Sequence, residues 1–209
     1  CTIDPCAVGY STTSPHGTPR KEPRMSSKMS KNVAKDSGED LPPTTMCVKK
    51  RNGSSEPVDL NKVVRAIGRN CVGLTDVDPM RVATRTISGI YDGATTRELD
   101  ELSIQTAADL IAEEPQYSRL AGRLLATLIE KEVRNQEIQA FSQSVATGHK
   151  LGLVNDRLMA FVKANARKLN DAIRPDQDQE FEYFGIRTVY DRYLLRHPPN
   201  RLVIETPPQ

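Results

Sequence analysis

The chain contains 209 residues, of which 37% are hydrophobic and 27% charged, and its formal net charge at pH 7 is +2. The hydrophobic fraction lies below the roughly 45–50% of a typical globular domain, so part of the chain is expected to be unstructured. A net charge this close to zero does not by itself indicate a nucleic-acid-binding protein. No apolar run approaches the roughly 18 residues that a membrane-spanning helix needs, which predicts a soluble protein without a membrane partner.

The cysteines and histidines do not suggest a metal site. The four cysteines are Cys1, Cys6, Cys47 and Cys71, and none forms a Cys-x-x-Cys pair. Only three histidines are present to complete a ligand set, so a zinc module is not expected and no residue is assigned to a metal. The small number of cysteines and the lack of a secretory signal favour the reducing cytoplasm as the compartment.

Residues 1–45 are rich in Ser, Thr, Pro and Lys and contain few large apolar side chains. Such a composition cannot bury enough apolar surface to fold, which predicts a disordered tail. The chain begins with Cys, whereas Met25, Met29 and Met46 come later. We therefore expect residues 1–24 to belong to a longer protein or to have been read upstream of the true start.

Two short runs, residues 46–51 and 54–58, flank the dipeptide Asn52-Gly53. This dipeptide accepts the positive φ angles of a type I′ turn, so the two runs are predicted to form a β-hairpin. Pro57 has no N–H to donate to a neighbouring strand. The second strand is therefore predicted to be an edge strand or to end at Pro57.

Residues 59–135 are predicted to form four helices, because apolar residues recur there at helical spacing behind recognisable start signals. The start signals are Asp59, Asp78 followed by Pro79, a capping box from Thr95 to Glu98, and Pro115. The connections are short, so the helices are expected to pack as a small four-helix bundle with the hairpin lying across one end as a lid. The predicted fold class is mainly α, an α+β arrangement.

The helical pattern is weaker beyond residue 135. It predicts helices over residues 138–146 and 158–169 and a polar loop over residues 171–179. Residues 180–195, EFEYFGIRTVYDRYLL, concentrate aromatic side chains, which we expect to pack into a core. The last residues hold a short apolar run between prolines, which we interpret as a chain cut just before its next domain.

Lys49, Lys50 and Arg51 lie in the first predicted strand, and Lys62 lies in the first turn of the following helix. Side chains alternate along a strand, so Lys50 lies on the opposite face from Lys49 and Arg51. Two interpretations remain open. The cations form a solvated edge strand that resists aggregation, or the hairpin closes over the N–H groups of the helix start and forms a phosphate cradle.

The hairpin and the first helix carry a pattern that resembles the ATP-cone, a nucleotide-sensing module at the head of many ribonucleotide reductase large subunits. The pattern is Val48-x-Lys50-Arg51-x-Gly53, then Glu56, then Asp59-x-x-Lys62. Residues 77–132 are similar to the remaining helices of the cone in class I enzymes. Residues 182–195 resemble the segment that leads into their catalytic barrel.

This resemblance covers residues 46–209 and implies three parts. Residues 1–45 would be the disordered tail, and residues 46–135 the ATP-cone domain. Residues 136–209 would be the truncated N-terminal helical part of the catalytic domain, leading into an α/β barrel that the chain does not reach.

The resemblance implies that the hairpin and the first helix form a lid over the adenine of a nucleotide. Val48, Glu56 and Asp59 match neighbours of the adenine, and either carboxylate is suited to accept a hydrogen bond from its exocyclic amine. Thr96 and Asp100 match positions near the sugar, where ATP and dATP differ by one hydroxyl. Each also has an open structural interpretation, Thr96 as a helix cap and Asp100 as an anion of the first helical turn.

The same resemblance implies phosphate contacts for Lys50, Arg51 and Lys62, and for Lys131 on the fourth helix. Lys131 is also open to interpretation as an exposed helix cation. The effector that the resemblance implies is ATP or dATP, together with Mg²⁺.

The family reduces ribonucleoside diphosphates to deoxyribonucleoside diphosphates for DNA synthesis by radical chemistry, with thioredoxin or glutaredoxin as the reductant. Neither Cys47 nor Cys71 matches a catalytic cysteine, so no catalytic residue is assigned and the chain alone is expected to be inactive. The implied role is allosteric, because ATP leaves the enzyme active and dATP inhibits it by favouring another assembly. The implied partners are a radical-generating small subunit and further large subunits, with no nucleic acid and no membrane.

Three alternatives remain open from the sequence. A cone that has lost its nucleotide ligands would serve only subunit contacts. A nucleotide-sensing transcriptional repressor also carries a cone, but behind a four-cysteine zinc ribbon, whereas only Cys1 and Cys6 lie in the tail here. An oxygen-sensitive glycyl-radical reductase can carry a cone too, although residues 182–195 resemble the class I enzymes.

Overall fold

The computed structural model describes residues 46–50, 53–174, 177 and 180–209. In these ranges the chain forms one two-stranded antiparallel sheet and seven α-helices, so the fold is mainly helical. The helices are α1 Leu60–Gly68, α2 Pro79–Gly89, α3 Thr96–Asp109, α4 Gln116–Arg134, α5 Phe141–Lys150, α6 Asp156–Ala172 and α7 Tyr183–Arg192. None of these described helices is both long and apolar enough to cross a membrane. The tail predicted over residues 1–45 lies outside the described residues.

The predicted hairpin is confirmed, with strands β1 Cys47–Lys49 and β2 Ser55–Pro57. Val48 is paired with Glu56 across the two strands. Gly53 has a φ of +82°, the left-handed conformation for which glycine suits a tight turn. As predicted, β2 is an edge strand and ends at Pro57.

The other edge of β1 is bonded to the loop that precedes α3. The N–H of Lys49 donates to the carbonyl of Ala94 at 2.8 Å, and the N–H of Gly93 donates to the carbonyl of Cys47 at 2.8 Å. The N–H of Cys47 donates to the carboxylate of Asp92 at 2.7 Å. These bonds fix the hairpin against the start of α3.

The predicted start signals of the first four helices are confirmed. Asp59 and Asp78 are N-caps whose carboxylates accept hydrogen bonds from the first turns of α1 and α2. Thr95 and Glu98 form the complete capping box at the start of α3. Helix α4 begins directly after Pro115. In each case a local side chain satisfies or replaces an N–H group that the helix itself cannot pair.

Two apolar clusters share helix α4. The first packs α1, α2 and α3 against the N-terminal half of α4, and its buried members are Val63, Ile67, Val82, Ala83, Ala107, Leu110, Tyr117, Leu120 and Ala121. The second packs the C-terminal half of α4 against α7 and the last residues, and it includes Leu125, Ile129, Val133, Ile186, Tyr190, Val203 and Ile204. Because α4 contributes to both, it ties the N-terminal helices to the C-terminal segment.

The prediction of a helix over residues 138–146 placed its start too early. The helix is α5, and it begins at Phe141. Glu137 has a φ of 63°, which is not a helical conformation. Ile138 is buried, but it belongs to the connection that precedes the helix. A buried apolar residue was therefore mistaken for the first turn.

Helix α6 is longer at both ends than the predicted range of 158–169. It starts behind Asn155, whose side chain accepts a hydrogen bond from the N–H of Leu158. It continues to Ala172, so the first two residues of the predicted polar loop are helical. Residues 175–176 and 178–179 of that loop lie outside the described residues.

The prediction that the aromatic residues of 180–195 pack into a core is only partly right. Tyr190 is buried, and Tyr183 packs against the same cluster. Phe184 and Tyr193, by contrast, are 71% and 74% exposed. Only one face of α7 lies against α4, and Phe184 lies off that face while Tyr193 follows the last helical residue.

A buried carboxylate anchors the C-terminal segment to α4. Glu132 is only 4% exposed, and it accepts hydrogen bonds from the N–H of Val203 at 2.9 Å and from the Tyr190 hydroxyl at 3.2 Å. Arg97 of α3 lies 3.6 Å from the same carboxylate. The amide of Gln136 donates to the carbonyl of Val203 at 2.7 Å. Glu132 of α4 and Gln136, two residues beyond the end of this helix, thereby bind both backbone polar groups of Val203.

The close approach of α7 to α4 gives a test of the packing at Gly122. A Cβ added there would lie 2.6 Å from the backbone oxygen of Phe181, whereas one added at Gly68 would meet nothing within 4 Å. We expect Gly122→Ala to lower the free energy of unfolding by about 1–3 kcal/mol through overpacking. Gly68→Ala should leave it unchanged or raise it by up to about 1 kcal/mol. Urea unfolding followed by circular dichroism checks both values, and equal stability of the two variants would contradict the packing.

The anchor at Glu132 gives a second test. Glu132→Gln keeps the size of the side chain but removes the charge that faces Arg97, and it weakens the bonds to Val203 and Tyr190. We expect a loss of about 1.5–3 kcal/mol in the free energy of unfolding, the usual contribution of hydrogen bonds to a charged group. The control is Glu130→Gln on the exposed side of α4, which should change stability by less than about 0.5 kcal/mol. The same unfolding experiment measures both, and a Glu132→Gln value within the range of the control would refute the anchor.

Candidate functional site

A cavity of about 570 Å³ lies between the hairpin, α1, α3 and α4. Most of the residues selected from the sequence line it, namely Val48, Lys50, Glu56, Asp59, Lys62, Thr96, Asp100 and Lys131. Arg51, also selected, lies outside the described residues. The fold thus gathers side chains from four separate elements around one space.

The hairpin supplies one wall through Val48 of β1 and Lys50, the residue directly after this strand. Both residues line the cavity, as the predicted alternation along the strand requires. Val48 is buried and packs with Val58, Ile90 and Ala94. This apolar cluster holds the strand in place, so Lys50 is presented from a fixed backbone.

The start of α1 forms the floor next to the hairpin. The carboxylate of Asp59 accepts hydrogen bonds from the N–H of Asn61 at 2.9 Å and of Lys62 at 3.3 Å. Two of the N–H groups that could bind an anion at this helix start are therefore already paired within the protein. A phosphate at this end would depend mainly on lysine side chains.

Glu56 lies between two lysines that line the same cavity. Its carboxylate forms ion pairs with Lys50 of the hairpin and with Lys62 of α1. The hydrogen bonds from Lys50 and then from Lys62 lower the pKa of Glu56 to about 2. Because the pKa is depressed on folding, the stabilisation is present above the ordinary value of 4.5 and is lost as the pH falls towards 2. The carboxylate stays charged at neutral pH.

A second acid–lysine pair forms the opposite wall. The ammonium of Lys131 on α4 lies 2.8 Å and 3.1 Å from the two carboxylate oxygens of Asp100 on α3. Asp100 is therefore bound across the helix interface and is not an anion of the first turn, where α3 has only Glu98. The proposed structural role of Thr96 as the cap is also wrong, because Thr95 is the N-cap.

Sequence reasoning did not select every residue of the lining, and among those it missed are Ser103 on α3 and Leu124 and Thr127 on α4. Their spacing could have revealed them. Positions four and seven apart lie on one helix face, and Ser103 follows Thr96 by seven residues while Thr127 and Leu124 precede Lys131 by four and seven.

The far end of the cavity is closed where α1 ends. The Thr127 hydroxyl donates to the side-chain oxygen of Asn70 at 3.2 Å. Arg123 donates to the backbone carbonyls of Asn70 at 3.0 Å and of Val72 at 2.7 Å. These contacts from α4 satisfy carbonyl groups just beyond α1 and fix the width of the cavity at this end.

Comparison with known proteins places the chain among sequence relatives. Residues 46–132 match the family described as the ATP cone domain. The chain is 35% identical over 173 residues to the ribonucleoside-diphosphate reductase large subunit of Caenorhabditis elegans. The aligned residues cover 78% of this chain and 21% of that relative. It is 35% identical over 158 residues to the ribonucleoside-diphosphate reductase large chain 2 of Saccharomyces cerevisiae, covering 72% of this chain and 18% of the relative.

A viral relative shows the same partial coverage. The ribonucleoside-diphosphate reductase large subunit of vaccinia virus is 33% identical over 169 residues, covering 78% of this chain and 22% of the relative. The chain thus spans about a fifth of the length of the curated relatives it matches. Residues 46–132 are an ATP-cone domain. Through this domain and the segment that follows it, the chain belongs to the ribonucleoside-diphosphate reductase large-subunit family and corresponds to its N-terminal region.

Proposed function

We propose that this chain is the nucleotide-sensing region of a ribonucleoside-diphosphate reductase large subunit, and that ATP or dATP binds in the cavity between the hairpin, α1, α3 and α4. The observation that carries the proposal is the meeting of Lys50, Lys62 and Lys131, from three separate elements, around one cavity of about 570 Å³. Three cations around one cavity fit a polyanion, and lysine is a frequent ligand of phosphate.

The phosphates are assigned to these three lysines, with Arg51 of the same hairpin as a fourth cation. Mg²⁺ is proposed to arrive with the nucleotide, held mainly by the phosphate oxygens, as is usual for this ion. The carboxylates are assigned to the base and the sugar, whose amine and hydroxyl groups donate hydrogen bonds, because a carboxylate repels a phosphate.

The base is assigned to the hairpin end, next to Val48, Glu56 and Asp59, with a carboxylate accepting from its exocyclic amine. The sugar is assigned to Thr96 and Asp100 at the start of α3. ATP and dATP differ by one sugar hydroxyl, and a site that hydrogen-bonds a hydroxyl discriminates strongly against a ligand that lacks it. Such a difference supplies the differential affinity that an allosteric effector requires.

We further propose that the hairpin and the first four helices, residues 46–135, form a small four-helix bundle with a hairpin lid. Residues 136–209 are then the helical lead into an α/β barrel. The whole protein would reduce ribonucleoside diphosphates in the cytoplasm with a radical-generating small subunit, as a homo-oligomer of large subunits that contacts neither nucleic acid nor membrane. The present chain alone would be inactive.

Removal of one cavity lysine tests the phosphate assignment. Lys62→Gln should weaken ATP binding roughly tenfold or more, because a hydrogen bond to a charged group contributes about 1.5–3 kcal/mol. The matched control is Lys163→Gln, an exposed lysine of α6 outside the cavity lining, which should leave the affinity unchanged. Isothermal titration calorimetry measures both. Absence of binding of ATP and of dATP to the unaltered chain would instead identify a cone that serves only subunit contacts.

Asp100 tests the discrimination of the sugar. Asp100→Asn should bring the ratio of the ATP and dATP affinities closer to one, by roughly two- to tenfold, as expected for the loss of a single hydrogen bond. Asp109→Asn on the same helix is the control, because Asp109 bonds Gln105 outside the cavity lining and should leave the ratio as it is. Calorimetric titrations with both nucleotides give the ratios, and an unchanged ratio in Asp100→Asn would remove the residue from this role.

A further inference from the structure

The lysines assigned to phosphate are already paired with acids of the same cavity. Glu56 bonds both Lys50 and Lys62, and Asp100 bonds Lys131 through both carboxylate oxygens. Two of the three pairs join different elements, the hairpin with α1 and α3 with α4, so the pairing is a property of the folded cavity. A ligand phosphate therefore meets cations that already have an anionic partner.

These pairs are open to a ligand. The side chains of Glu56, Lys50 and Lys62 are 30%, 47% and 62% exposed. Partly exposed ion pairs are weak, because solvent screens them and the long side chains lose freedom when they pair. The binding energy of an ordinary ligand is therefore sufficient to replace the carboxylate by a phosphate on either lysine.

We propose that Glu56 is an internal counter-ion that competes with ligand phosphate for Lys50 and Lys62, and so selects ligands that also give Glu56 a hydrogen-bond donor. The proposal rests on the proposed function and adds to it how the cavity distinguishes a nucleotide from other polyanions. A polyphosphate without a base binds the two lysines and displaces the Glu56 carboxylate. The displaced carboxylate then has no hydrogen-bond donor and lies next to the negative charge of the ligand. A nucleotide whose base carries an exocyclic amine takes the same lysines and supplies a new donor.

Glu56 is charged when a ligand meets the site. The hydrogen bonds from Lys50 and Lys62 lower the pKa of Glu56 to about 2, so before a ligand binds the group is a carboxylate at neutral pH. An uncompensated charge next to bound phosphate is unfavourable, because like charges repel at short range and the group loses its hydrogen bonds. Glu56 therefore acts as a specificity-determining residue even though it repels the phosphate that the site binds.

The test compares inorganic tripolyphosphate with ATP on the whole chain and on Glu56→Gln. Glutamine keeps the shape of the side chain but releases both lysines from a carboxylate. We expect tripolyphosphate to bind Glu56→Gln roughly 2- to 30-fold more tightly than it binds the unaltered chain, the combined effect of two exposed ion pairs. We also expect the preference for ATP over tripolyphosphate to shrink, because the variant no longer needs the donor.

The control is Glu113→Gln, which changes the net charge equally but removes an ion pair with Arg81 outside the cavity lining. It should leave both affinities unchanged. If Glu56→Gln and the unaltered chain bind tripolyphosphate equally, or if Glu113→Gln strengthens binding as much, the competition by Glu56 is refuted. The two proposals can fail separately, since the titration of the unaltered chain with ATP tests the sensor and the gain in tripolyphosphate affinity tests the counter-ion.

Discussion

The bonds between β1 and the loop before α3 are the constraint on which the site depends. A three-residue strand paired with one neighbour would be only marginally stable, but β1 is bonded on both edges, by β2 and by residues 92–94. This double attachment fixes the hairpin across the starts of α1 and α3. Because α1 and α3 also pack on α4, the four elements that line the cavity are held in place, and each of them contributes a charged side chain to the lining.

The lysines of the described lining are paired with carboxylates before any ligand arrives. Each described lysine of the lining has an acidic partner in the lining, so the empty site does not hold a cluster of uncompensated cations. Such a cluster would lower stability through mutual repulsion. Under the proposed function, this pairing lowers the affinity for a bare polyanion, so the contacts to the base and the sugar contribute more to ligand selectivity.

Helix α4 connects the cavity to the C-terminal segment. It carries Lys131 in the cavity lining, and the next residue, Glu132, binds the N–H of Val203. The site and the C-terminal segment therefore share one rigid element.

The parts of the fold that the sequence predicted correctly are those with local causes. Asp59 and the capping box at Thr95 mark helix starts because they pair N–H groups within a few residues. The pairing of Asp100 with Lys131 could not be read in the same way, because it joins residues 31 positions apart through the packing of two helices. The exposure of Phe184 was equally hidden, because aromatic composition does not show which face of a helix has a neighbour. The resemblance to the ATP-cone suggested most of the candidate site residues. Only the folded structure shows which carboxylate is paired with which lysine.

A crystal structure of the chain with bound ATP tests the account most directly. The account predicts ATP in the cavity between the hairpin, α1, α3 and α4. Lys50 and Lys62 should lie within hydrogen-bonding distance of phosphate oxygens, about 2.7–2.9 Å, and the Glu56 carboxylate should be turned away from them towards the base. ATP bound elsewhere, or ATP in the cavity with both lysines still paired to Glu56, would contradict it.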